Sequence, residues 1–98
     1  MAATFPKPDL FVGTDDLTII GESKQDITAA TVKEFLFESP KEVKSTRPVT
    51  RITSLKDAEY DVQPGDFIVP GEWTFQLHTI IGGKHNYSKK DTLIFQPL

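Results

Sequence analysis

The sequence predicts an all-β domain, an antiparallel β-sandwich of about seven short strands with an extended N-terminal arm. Three observations carry that prediction. Val62 to Leu77 holds two Pro-Gly pairs, Pro64-Gly65 and Pro70-Gly71, around the apolar turn Asp66-Phe67-Ile68-Val69. Proline fixes φ and glycine permits φ > 0, so each pair is a place where the backbone reverses. The strongest alternation in the chain follows: Trp73, Phe75 and Leu77 share one side, and Thr74, Gln76 and His78 the other. Period two is the signature of a half-buried strand, here the central one. Turn signals then recur about every 8 to 12 residues along the rest of the chain.

Taken in order, residues 1–9 carry Pro6 and Pro8, which favour an extended arm. Such an arm could dock on the sheet edge of a neighbouring subunit. Residues 10–98 form one sandwich domain. Leu10 to Val12 and Leu17 to Ile20 read as strand pieces, with Asp15-Asp16 in a solvated turn between them and Gly21 to Lys24 as the next turn. Val32 to Glu38 has two readings. Asp26 or Thr28 could cap a short helix with Ala29, Val32 and Leu36 on its face. The preferred reading is a strand with Phe35 and Phe37 inward and Leu36 outward. Lys41 to Pro48 is polar and without period, a loop or hairpin tip. Val49 to Leu55 reads as a strand whose phase the pattern leaves open, with Val49 on one face, Ile52 on the other and Arg51 a candidate for the Val49 side. In Asp57 to Val62, Ala58, Tyr60 and Val62 face inward. Phe67 caps the compact Pro-Gly turn, and the Trp73 strand runs to Ile81. Gly82-Gly83 marks a hairpin. Thr92 to Gln96 closes the fold with Leu93 and Phe95 inward and Ile94 outward, and Pro97 ends the strand. This count and spacing match an immunoglobulin-like sandwich without its cysteine pair.

Bulk properties narrow the partners. The chain has 98 residues, no cysteine and a net charge of −3. One hydrophobic core is what that length supports. Acidity gives no electrostatic footprint for nucleic acid or an anionic membrane. Without cysteine there is no disulfide, thiolate metal site or cysteine nucleophile, which favours synthesis in a reducing cytoplasm. The first residues lack a signal-peptide pattern, and no run approaches the roughly 18 to 20 apolar residues of a membrane span.

No constellation for catalysis emerges. The 14 acidic residues scatter over turns and outward positions, and the serines lack a nucleophile-elbow context. His78 and His85 flank the Gly82-Gly83 turn and could approach across a hairpin. A third protein ligand for zinc is not evident, so no metal and no cofactor are expected. Lys84, His85, Lys89 and Lys90 beside Tyr87 could grip single-stranded nucleic acid, but the patch is short in an acidic chain and reads as a solvated hairpin tip. Trp73 is in phase with Phe75 and Leu77, which argues for core rather than a sugar-stacking platform.

The run Asp26-Ile27-Thr28-Ala29-Ala30-Thr31, the segment Gly65-Asp66-Phe67 to Pro70-Gly71-Glu72-Trp73, and Asp91-Thr92-Leu93 resemble turn and strand motifs of one family. It is the immunoglobulin-like structural domains of tailed bacteriophage virions, such as the N-terminal domain of baseplate upper proteins. The resemblance spans about Leu10 to Gln96; Ala29-Ala30 departs from the family's usual alanine-glycine order. It implies a non-enzymatic virion protein that works by assembly. With the chain taken to end at Leu98, the expected role is a connector or adaptor at the neck, tail or baseplate that anchors fibres, with a capsid decoration protein as the alternative. Expected partners are other virion proteins and further copies in an oligomer or symmetric ring, with no nucleic acid and no membrane. The expected location is the virion, after synthesis in the host bacterial cytoplasm. Interface candidates are Phe5, Pro6, Pro8, Leu36, Ile80 and Ile94. A different alternative is a glycan- or receptor-binding module, which would need Tyr60, Tyr87 and Trp73 at the surface.

Overall fold

The apolar alternation of the sequence builds two sheets over one shared core. The computed structural model describes residues 10–98; the expected arm, with Phe5, Pro6 and Pro8, lies outside the described residues. Nine strands form among the described residues: β1 (Leu10–Phe11), β2 (Thr18–Glu22), β3 (Val32–Glu38), β4 (Lys44–Pro48), β5 (Arg51–Ile52), β6 (Asp57–Asp61), β7 (Gly71–Ile81), β8 (Lys84–Tyr87) and β9 (Asp91–Gln96). There is no helix among the described residues. The larger sheet has the order β1-β9-β7-β3-β4 with β8 also on β7, and the smaller has the order β2-β6-β5. The fold is all-β and sandwich-like.

β7 is the central strand, as its alternation predicts. Trp73, Phe75 and Leu77 are buried with Phe35 and Phe37 of β3 and Phe95 of β9. From the smaller sheet Ile19, Ala58 and Tyr60 close the core. Fully burying one such aliphatic or aromatic side chain contributes about 1.5–3 kcal/mol. The strand reading of Val32 to Glu38 holds, because seven consecutive residues pair with β7 from Val32↔Ile80 to Glu38↔Thr74.

The Pro-Gly segment carries the chain from β6 to β7, that is, from one sheet to the other. Gly65 adopts φ +88° and Gly71 φ +123°, left-handed values that glycine accepts without a Cβ penalty. Between them Phe67 turns inward, edge-on to Trp73 at 4.9 Å and stacked on Phe95 at 4.6 Å. The Trp73 indole nitrogen donates to the Val69 carbonyl at 2.9 Å, so the buried ring leaves no polar atom unpaired. Asp66 ties the turn down: it accepts from the Tyr60 hydroxyl, from the Gln63 backbone N–H at 2.8 Å and from Arg47 Nε at 3.2 Å. Burial first, and the hydrogen bond to Asp66 second, push the Tyr60 phenol up to about 12.

Several expectations are corrected. Nine strands replace about seven, because the polar segments 44–48 and 84–87 are strands. β4 is an edge strand whose inward-side residues are Ser45 and Arg47, so no apolar period announces it; pairing with β3 creates it. Lys and Pro at its two ends guard that edge against further pairing. The segment expected at Val49 to Leu55 shrinks to Arg51–Ile52, and Arg51 faces out, gripping Glu59 at 2.6 Å and also Asp61. The pairing is mixed rather than purely antiparallel, since β1 runs parallel to β9. Gly21 is not a turn residue but sits inside β2. A Cβ there would lie 2.6 Å from Phe35 Cε1, so glycine permits the two sheets to approach at this point.

The Gly82-Gly83 hairpin forms as expected. Both glycines take positive φ, +57° and +78°, as a two-residue type I′ turn requires. β8 and β9 then run in line along one edge of β7. Tyr87 pairs with His78 and Asp91 with Phe75, leaving Ser88, Lys89 and Lys90 opposite Gln76 and Leu77. One extra residue makes this a β-bulge. Ser88 fills the gap: its N–H donates to the Leu77 carbonyl and its hydroxyl accepts from the Leu77 N–H, both at 2.8 Å.

Candidate contact face

The outer face of the larger sheet gathers the interface candidates that fall within the described residues. Leu36 of β3, Ile80 of β7 and Ile94 of β9 all sit at positions alternate to the buried residues of their strands. Ile94 is 55% exposed, whereas Leu36 and Ile80 are half-buried. The pairing register keeps the three apart. Leu36 pairs with Gln76, while Ile94 pairs with Glu72. Ile80 therefore lies eight β7 residues from the level of Ile94, about 27 Å at the usual strand rise. They mark the two ends and the middle of one face rather than a single apolar patch.

Each third of that face has its own character. At the β1–β9 end, Ile94 is joined by Phe11, which is 45% exposed and pairs with Gln96. In the middle, Leu36 lies in a groove of about 410 Å3 bordered by Glu38, Lys44, Thr46, Gln76 and Lys90. At the other end the β7–β8 hairpin carries a ladder of rings. His78 stacks on Tyr87 with centroids 4.6 Å apart and planes 16° from parallel. His78 Nδ1 lies 2.8 Å from Glu34 Oε2, and its Nε2 lies 2.8 Å from His85 Nδ1.

The hydrogen-bond order in this chain follows from its anchored end. A carboxylate only accepts, so His78 carries its hydrogen on Nδ1 and donates to Glu34. In a neutral ring Nε2 is then an acceptor, and His85 Nδ1–H donates to it. His85 Nε2 is left without a partner among the described residues. The phase of His78 agrees with the sequence, but its exposure does not: it is only 7% exposed, because Glu34, His85 and Tyr87 surround it.

The approach of His78 and His85 is thus legible in the sequence, while Glu34 is not, since 44 residues and the β3–β7 register separate it from His78. Phe11 is also missed; a two-residue strand leaves too little alternation to assign its side. The outer face of the smaller sheet carries the exposed Ile20, 60% accessible and paired with Glu59, beside an ion-paired group on Arg51. Arg51 holds the Asp61 carboxyl below its usual range, and Asp61 with Glu59 raises the guanidinium further. Among the described residues no group of three or more His, Asp or Glu is arranged to hold a metal ion. Tyr60 and Trp73 are core residues, 3% and 7% exposed, while Tyr87 is 54% exposed, so the three aromatics do not form one platform. Comparison with known protein families, with characterised proteins and with solved structures finds no match for this chain.

Proposed function

We propose that this protein is a non-enzymatic structural component of a tailed bacteriophage virion, an immunoglobulin-like connector or adaptor at the neck, tail or baseplate. It joins other virion proteins and further copies of itself, and the same sandwich could anchor fibres. The observation that carries the reading is where the resembling segments lie. Asp26 to Thr31 forms a turn in which Asp26 accepts from the Thr28 N–H at 2.9 Å, directly ahead of β3. Gly65 to Trp73 is the crossing between sheets, and Asp91 to Leu93 opens β9. All three build the scaffold, as motifs of a structural domain should. The working surface is then the outer face of the larger sheet, on rigid paired strands. An ordinary interface takes roughly 800 Å2 from each partner, an area within reach of one sheet face together with the arm. The arm at 1–9 is a second proposed tie, resting on Phe5, Pro6 and Pro8 in the sequence alone.

The test is direct. Purified tailed particles from the bacterial source of this sequence are examined by quantitative mass spectrometry. The proposal expects this chain in the particles at a fixed small multiple of a known tail protein. Its presence in infected cells but not in particles contradicts the proposal. Capsid decoration differs in stoichiometry: the copy number would then follow the shell protein rather than the tail protein.

A further inference from the structure

We infer that His78 and His85 form a two-imidazole site for a divalent transition-metal ion, copper(II) foremost, with Glu34 positioning His78. The inference is independent of the virion reading. It starts from the distance between His78 Nε2 and His85 Nδ1, 2.8 Å. With metal–nitrogen bonds of about 2.0–2.1 Å, two nitrogens at right angles around an ion stand about 2.9 Å apart. At the tetrahedral angle they stand about 3.4 Å apart. In the hydrogen-bonded pair the 2.8 Å span already brings both nitrogens within reach of one ion, and a turn of His85 sets the final angle. Copper(II) is put first because it heads the affinity order of divalent ions for nitrogen ligands and accepts water at its remaining tetragonal positions.

Three further features prepare the pair. Glu34 accepts the Nδ1 hydrogen of His78 and so aims the Nε2 lone pair at His85, the carboxylate–histidine arrangement that orients metal ligands. Tyr87 lies flat against His78 and limits its rotation. The type I′ turn at Gly82-Gly83 fixes the register that sets β8 beside β7. The imidazole planes are 7° from parallel, so His85 must turn for both lone pairs to meet at one point, and its exposed position leaves room. Binding is balanced without net proton release. The His85 hydrogen leaves Nδ1 and is replaced on Nε2, which faces solvent, while the ion takes the two lone pairs. Water fills the remaining positions. The sequence-based expectation of no metal rested on the missing third protein ligand; a tetragonal ion with water ligands does not need one.

The experiment uses the full chain without a histidine tag, titrated with copper(II) and read by calorimetry and electron paramagnetic resonance. The expected result is one ion per chain with hyperfine coupling to two imidazole nitrogens. Two chains sharing one ion through four nitrogens also supports the site. His85→Ala, an exposed substitution whose fold is verified by circular dichroism, should bind at least tenfold more weakly and lose one nitrogen from the spectrum. Glu34→Gln should keep both nitrogens and bind roughly 10- to 100-fold more weakly. Unchanged affinity in His85→Ala, a spectrum with one nitrogen or none, or no binding overturns the site. Unchanged affinity in Glu34→Gln overturns the role given to Glu34.

Discussion

The Pro-Gly crossing at 62–73 and the hairpin at 78–87 use the same materials to different ends. Both pack aromatic rings and both string side chains on hydrogen bonds to a carboxylate. In the crossing the string closes within the chain: Tyr60, Gln63 and Arg47 all terminate on Asp66, and Trp73 terminates on Val69. In the hairpin the string Glu34–His78–His85 runs outward and stops at a nitrogen without a partner among the described residues. A closed network stabilises a fold, whereas an open one on a rigid sheet is available to something outside it. The hairpin and its sheet face are therefore where contact is expected, and the crossing is where stability is expected.

Substitutions can break that contrast, and the largest effect should come from the crossing. Trp73→Ala removes a core ring that Phe67 packs against and should destabilise by about 3–5 kcal/mol in urea unfolding. Asp66→Ala leaves the Tyr60 hydroxyl and the Gln63 N–H without their acceptor and should cost about 1–3 kcal/mol by the same measurement. The closed network also has a pH signature. Tyr60 holds its proton up to about 12 in the folded chain, against 10.0 ordinarily. The folded state then binds more protons than the unfolded one between these values. That share of stability is complete below pH 10 and is lost as pH rises towards 12. Unfolding midpoints measured across that window should fall in the native chain, and Tyr60→Phe should flatten the part of the slope due to this group. At the hairpin, His85→Ala should change stability by no more than about 0.5 kcal/mol, because the residue is exposed. A loss comparable to that of Asp66→Ala would mean that the hairpin string serves the fold, and the contrast would fail.

How far the sequence reveals this division depends on the range of the interactions. Alternation is local, so Trp73, Phe75, Leu77, Phe35 and Phe37 can be assigned inward from neighbours alone. Turn chemistry is local too, and both Pro-Gly pairs and Gly82-Gly83 are where they were expected. What escapes is set by pairing at a distance. β4 has polar residues on both faces and exists because β3 lies beside it. Gly21 resembles a turn residue, yet it is a contact residue determined by Phe35 of the other sheet. The candidate face is partly legible for the same reason: the outward phase of Leu36, Ile80 and Ile94 follows from alternation, while their separation and the partnership of Glu34 with His78 depend on register.

The most direct test of the account is the mass of the protein in solution by light scattering across a concentration series, for the native chain and for Leu36→Asp/Ile94→Asp. Both substitutions lie on the outer face, and circular dichroism verifies that the fold is kept. The account predicts a native oligomer that grows with concentration and a variant that stays monomeric. A variant that assembles as the native chain does would contradict the outer face of the larger sheet as the contact surface.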